Sequence, residues 1–420
     1  ATLFKKQAYL TPMALDILIE ELEGSIWVAT LNNGCLDGLE VDPVDEEVRW
    51  GSIYWAKVKT IDKAMDAVYL QLDVDNTGIL YNQDVRVQNE DGSYKKGGDE
   101  PIGKRFQPGD MIPVQAKSAY MPKSDGDFEN KIPQMSMDIT LPGRHLIFSA
   151  TMHDNRISSR IRDKTERKKI KDMMDGLSDI QGFILRASAA NTQTDILVRE
   201  GKILKEAWEQ LSAYFEGNDP GLIMIGPDAI QRTLSDQASK QIDRIEVVIM
   251  EHYTEAEDWC TIFAPDLVTK IRPVELKNAS VDFALFDHRD ILGQIEDLFQ
   301  SYVVLAGGGS IIIQETAALT AIDVNRGAHK GSNLSINIAA AEEVARQIRL
   351  RNCGGIIMVD FLKNQNKKDE GQLIAAMERA IQKDSCTVQL HGLTKLGLME
   401  ITRKRRTPPL DERTDGNIFV

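Results

Sequence analysis

The sequence predicts a multidomain α/β protein, and three observations carry that expectation. A chain of 420 residues is long for one compact unit. Residues 52–141 hold five short strand-like runs parted by polar loops, and from Gly309 onward apolar strands alternate with helical spacing.

Composition narrows the class. Apolar residues make up 42% of the chain, enough to build real cores. There is no run of 18 or more uncharged apolar residues and no charged-then-apolar leader, so the reading predicts a cytoplasmic protein without a membrane span. Cys35, Cys260, Cys353 and Cys386 are far apart and form no CxxC pair, which argues for buried thiols over a disulfide framework or zinc knuckle. A net charge of -14 speaks against uniform coating of a nucleic acid but leaves room for local basic patches.

Taken in order, the elements begin with SIWVATL, a strand in a segment too short to fold alone and expected to pair with distant strands. SIYWAKVKTI, DAVYLQLD, TGILY, DMIPVQAKSA and QMSMDITL follow, suiting a small Greek-key barrel of the OB type. Such barrels hold single strands against aromatics and cations, here Tyr54, Trp55, Tyr69, Lys57 and Lys131, although some of these rings are expected to fill the barrel instead. The run SSRIRDKTERKKIKD is a basic cluster, whose interleaved Asp163, Glu166 and Asp172 also fit a plain solvated helix face, and residues 162–177 read as a charged helix. GFILRAS reads as a strand, and residues 195–215 as a helix. DRIEVVIM and WCTIFAP carry strand character, and HRDILGQIEDLFQS has helical spacing.

The last third is the most informative. GSIIIQET and ALTAIDVN are apolar strands joined at a polar turn; SINIAAAEEVARQIRLRN is a helix with Ser335 as N-cap and Gly354-Gly355 as its stop. IIMVDF is a further strand and GQLIAAMERAIQKD a further helix, implying a parallel βαβ unit. Asp323 and Asp360 each end a strand, at the sheet edge where α/β sites open. Asn325, two residues on, shares a strand face with Asp323. Two carboxylates and an amide oxygen suit Mg²⁺, with Arg326, His329 and Lys330 placed to hold a phosphodiester. An Asp ending a strand also serves simply as a turn former. TRKRR has no acidic residue inside it and is the better phosphate-contact cluster.

Three segments, LTAIDVN, AAEEVARQIRLRNCGGIIMVDF and LTKLGLMEITRKRRTPPL, resemble the catalytic region of the RNase E/RNase G endoribonucleases. LFDHRDILGQIEDLF, ITLPGRHLIF, GSIYWAKV and AVYLQL extend the resemblance in collinear order. It implies an RNase H-like subdomain in two parts (residues 1–47 and 228–293), split by an S1-like OB barrel (48–141) and a 5′-sensor region (142–227). A DNase I-like catalytic subdomain (294–412) and a tail (413–420) follow. It also implies Mg²⁺ held by Asp323 and Asp360 and supported by Asn325, and hydrolysis of single-stranded RNA to 5′-phosphate products by water activated at the metal. The resulting RNA-contact set is Tyr69, Lys131, Arg160, Arg186, Arg326, Lys330, Arg403, Lys404 and Arg405.

The sequence departs from the family in three places. The second RNA-stacking aromatic of the barrel falls on Ile79, which removes roughly 1 to 3 kcal/mol of stacking per base. The arginine-threonine pair of the terminal-phosphate pocket becomes Arg186 and Ala187, and its other arginine positions fall on Ser159 and Thr387, with Arg160 and Ser188 adjacent. A hydroxyl does not replace a bidentate arginine clamp, so 5′-monophosphate sensing is expected to be weak or absent. Leu410 is followed by DERTDGNIFV, without the zinc-link cysteines, so the sequence gives no support to zinc-linked assembly; a homodimer through other surfaces stays open. The competing readings are a non-catalytic RNA-binding scaffold on the same fold and a DNA nuclease sharing the metal chemistry. Clustered carboxylates that repel phosphate count against the scaffold.

Overall fold

The computed structural model describes residues 15–22, 24–43, 48–118, 132–276 and 283–414 of a mixed α/β chain. Its first sheet draws on two distant parts of the sequence. Leu15–Leu22, Ser25–Asn32 and Cys35–Asp42 form an antiparallel meander, and Ile242–Val247 and Ile271–Pro273 extend it in parallel beyond Leu15–Leu22. The turn Asn33-Gly34 has positive φ at both residues, as a tight two-residue hairpin requires. Leu15–Leu22 is buried on both sides although it carries Asp16, Glu20 and Glu21; the buried Glu20 accepts the Leu285 and Phe286 N–H groups, each at 3.0 Å. Ile17 and Ile19 pack with Ile230, Leu234 and Trp259, whereas Leu18 and Leu22 pack with Trp27, Phe283 and Phe286.

The expected barrel is a closed one of five strands. Ile53–Asp62, Ala67–Gln71, Thr77–Tyr81, Gln134–Ser136 and Met111–Ala116 pair in that order, and the last returns to the first. Gly221–Met224 adds a sixth strand alongside Ile53–Asp62. The polar stretch after Gln88 contains more structure than a loop, since Arg86–Gln88 and Tyr94–Lys96 form a small hairpin. Next comes a four-stranded sheet of Thr140–Pro142, Leu146–Ser149, Phe183–Leu185 and Arg156–Ile157, packed against the helices Lys164–Met174 and Thr194–Ser212.

WCTIFAP corrects the sequence reading: it closes the helix Met250–Phe263 and begins a short one after it. Its residues favour strands locally, but Ala256, Trp259, Cys260 and Phe263 fall on one helical face that packs against the first sheet. Tertiary burial thereby overrides local propensity.

The C-terminal sheet has the order Tyr302–Val304, Ser310–Glu315, Thr320–Asn325, Gly355–Asp360, Met399–Lys404, Thr387–Leu393. Thr320–Asn325 and Gly355–Asp360 are parallel, linked by the helix Asn333–Leu350. That helix is capped by Ser332 and not by Ser335: the Ser332 hydroxyl accepts the Ser335 N–H at 3.2 Å, so the helix starts earlier than the spacing implied. Asn333–Leu350 and Lys367–Ile381 cover one face of the sheet, burying Ile311, Ile322, Val324, Ile357, Val359 and Ile401. Each such aliphatic side chain contributes about 1.5–3 kcal/mol. The opposite face carries the polar residues considered next. Among the described residues, no helix is long and apolar enough to cross a membrane.

Candidate active site on the open face of the C-terminal sheet

Alternation along two strands sets the site. Ile322 and Val324, and Ile357 and Val359, point into the core, so Asp323 and Asp360 project from the open face and are exposed. They are direct register partners in adjacent parallel strands, which lie about 4.7–4.9 Å apart. Asn325 donates from Nδ2 to Asp323 Oδ2 at 2.8 Å and fixes that carboxylate. The expectation gave Asn325 a ligand role through its oxygen; in the structure its amide nitrogen faces the carboxylate and orients it.

The donor set fits a hard cation of modest protein coordination. Two carboxylates thus stand side by side on adjacent strands, both exposed. No cluster of three or more histidine, cysteine or carboxylate side chains suited to a metal occurs among the described residues. Two exposed carboxylates are hard oxygen donors, the chemistry that would hold a hard divalent cation retaining most of its waters.

The loop after Asn325 is stapled shut. Arg326 donates to Asn333 Oδ1 and to the Gly331 carbonyl, both at 2.6 Å, and is a strut more than a free cation. Gly331 N–H donates to His329 Nδ1 at 2.8 Å. Gly327 has φ +51°, and a Cβ there would stand 2.5 Å from the Gly308 carbonyl oxygen, so only glycine lets the two loops touch. Lys330 remains exposed.

Asn337, which the sequence reading passed over, holds the other side. It is fully buried, donates to the Leu362 carbonyl at 2.7 Å and to Asn364 Oδ1 at 3.1 Å, and accepts the Leu362 N–H at 3.1 Å. Asn333 adds a bond to the Lys363 carbonyl at 2.9 Å. The chain leaving Asp360 is thereby tied to the helix that follows Asp323. A signal was present: Asn333 and Asn337 are i,i+4 polar residues, the second set among Ile336, Ala340 and Ala341 on the core face.

The basic cluster TRKRR is not beside the carboxylates. Gly355 pairs with Arg403, so this segment lies at the opposite end of the strand from Asp360, roughly 17 Å away at about 3.3 Å per residue. Arg403 corrects the RNA-contact expectation. It is buried, paired with Asp384 at 2.8 Å, and donates to Asn352 Oδ1 and the Cys353 carbonyl at 2.7 and 2.9 Å. Alternation explains the miss, since Met399, Ile401 and Arg403 face inward and Lys404 faces out. Arg405 is half-buried, its stem packed on Gly354. Arg406 pairs with Asp236 and lies 5.1 Å from the Trp50 ring centroid.

The other predicted contacts divide. Tyr69 is half-exposed on the barrel, register partner of the buried Ile79. Tyr54 fills the barrel interior, and Trp55 stacks on Phe215 while donating to the Gly217 carbonyl at 3.0 Å. Lys57 is half-buried and Lys131 lies outside the described residues. Arg186 is engaged internally, with Asp236 at 3.1 Å, the Gly143 carbonyl at 3.1 Å and Ser235 Oγ. Burial alone would raise the Asp236 pKa, but Arg406 and Arg186 outweigh it and hold the carboxyl below its ordinary value. Arg160 donates to the Ser385 carbonyl, and Ser188 Oγ to the Arg144 carbonyl at 3.2 Å. Arg160 and Arg186 each line two open clefts, of about 760 and 850 Å³, that also share Ser235 and Asp236.

Comparison with known proteins places this arrangement. The sequence model of the Ribonuclease E/G family matches residues 140–406. Ribonuclease G of Salmonella typhimurium (strain SL1344) and of Escherichia coli (strain K12) are each 28% identical over 403 residues, covering 94% of this chain and 80% of the relative. Ribonuclease E of Synechocystis sp. (strain ATCC 27184 / PCC 6803 / Kazusa) is 28% identical over 378 residues, 86% of this chain and 53% of that protein. The chain belongs to the ribonuclease E/G family and is, by that membership, an endoribonuclease.

Proposed function

We propose that the protein hydrolyses internal phosphodiester bonds of single-stranded RNA with the help of Mg²⁺ held by Asp323 and Asp360, leaving 5′-phosphate products. The observation that carries the reading is the register pairing of the two carboxylates on an open sheet face. Asn325 keeps Asp323 in one rotamer, and the ties from Asn333 and Asn337 keep the two strand ends together. Asp323 and Asp360 would hold a divalent cation, which when bound would supply Lewis-acid polarisation of the phosphodiester and would lower the pKa of water so that it is more readily deprotonated. Lys330, on the loop beyond Asn325, supplies positive charge for the flanking phosphates.

In this reading the split meander sheet is the RNase H-like part, the closed barrel the S1-like RNA-holding part, and the C-terminal sheet the DNase I-like catalytic part. Arg186 is already satisfied by Asp236, Ser235 and Gly143, and Ala187 has no hydroxyl, so the terminal-phosphate pocket is not free to clamp a 5′ end. The enzyme therefore enters RNA internally.

One assay tests both parts. Labelled single-stranded RNA bearing either a 5′-hydroxyl or a 5′-monophosphate is incubated with Mg²⁺ or EDTA, alongside Asp323→Asn. We expect cleavage in Mg²⁺ only, a loss of at least about 100-fold in Asp323→Asn, and similar rates for the two 5′ ends. Binding without cleavage by the native chain would make it a scaffold, and strong stimulation by the monophosphate would refute internal entry.

A further inference from the structure

The open face carries more than the carboxylates. Tyr302 pairs with Ile312, Ile312 with Asp323, and Asp323 with Asp360, so these four residues stand in one row across four strands. Val304, Ser310 and Asn325 form the next row. Two strand spacings, about 9–10 Å, separate Tyr302 from Asp323. Tyr302 is 57% exposed and Val304 68%, while Val303 between them packs into the core. The outward pair is thus set by alternation on a strand anchored from below.

An apolar pair on a sheet-edge strand invites unwanted pairing, and proteins usually blunt such edges with charge. Here the edge presents an uncharged ring and a β-branched side chain, on the same side as the carboxylates. Ile312, half-buried between Tyr302 and Asp323, makes an apolar floor joining them. An RNA strand whose phosphate lies at Asp323 and Asp360 must run on over the neighbouring surface. A distance of two strand spacings places a base one or two nucleotides away above Tyr302.

We propose that Tyr302, buttressed by Val304, is a stacking platform for a nucleobase next to the scissile phosphate. This rests on the nuclease reading of the carboxylate pair. A ring offers its π-face to any base, so the platform positions the strand with little sequence preference. It lies on the catalytic sheet itself and acts independently of the barrel, whose second stacking position is the buried Ile79.

The test walks 2-aminopurine, whose fluorescence is quenched by stacking, through a short single-stranded RNA bound to the full chain in EDTA. The native chain should quench the probe at one or two positions. Tyr302→Ala should abolish that quench and weaken binding roughly 5- to 150-fold, whereas Tyr302→Phe, which keeps the ring, should retain both. An unchanged quench in Tyr302→Ala would overturn the proposal. So would a changed sedimentation mass in Tyr302→Ala with the quench intact, because the face would then be a contact between copies of the chain. Failure of the nuclease reading shows separately, as absent cleavage or as cleavage that survives Asp323→Asn.

Discussion

His145 is buried beside Arg144, and burial together with that guanidinium pushes its pKa from 6.5 down to about 4. The unfolded chain takes up a proton near pH 6.5 that the folded chain refuses until about pH 4, so stability present at neutral pH is lost across that window. The interval corresponds to about 3 kcal/mol. Glu200, which accepts the His145 and Leu146 N–H groups, titrates in the opposite sense, because burial raises its pKa. His145→Gln separates the two. Its unfolding free energy should fall less steeply than that of the native protein between pH 6.5 and 4, and parallel curves by denaturant titration would contradict this. Arg403 shows what single residues hide from the sequence. A cation in TRKRR reads as a phosphate contact, yet alternation turns it inward onto Asp384, and only the inward run of Met399 and Ile401 betrays it.

At the scale of elements, the strands carrying Asp323 and Asp360 were legible, because an apolar run that meets a carboxylate near its end marks a sheet edge. The helix between them was legible too, apart from its cap. Ser332 and Ser335 lie within one turn, and the choice depends on where the Arg326 strut closes the loop. A polar residue on the core face marked Asn337, but its partner Leu362 was illegible, since the parallel crossover alone brings the two together. Asn337→Ala removes the partner of the half-buried Leu362 N–H and carbonyl and should cost about 1–3 kcal/mol. It should also loosen the chain beyond Asp360 and lower kcat more than it raises KM. Denaturant unfolding and steady-state cleavage check both, and near-native values would show that the strand end is held by other means.

Across the whole molecule, the barrel was readable from five local strand runs, whereas the first sheet was only half readable. Its pairing of Leu15–Leu22 with Ile242–Val247 spans just over half of the chain, and no local pattern names a parallel partner so distant. The same limit applies to the cluster of Asp236, Arg186 and Arg406, which joins three remote segments and occupies the arginine that the sequence offered to a 5′ phosphate. What survives at this scale is an open six-stranded face with two paired carboxylates on its two middle strands. Single-stranded RNA carrying a phosphorothioate of either configuration at the mapped cut tests whether a cation there meets the scissile phosphate. One configuration should be cut far more slowly than phosphate in Mg²⁺ and recover in Mn²⁺ or Cd²⁺, which accept sulfur ligands more readily. Equal rates for both configurations in Mg²⁺, or a slow configuration that neither metal restores, would contradict the account.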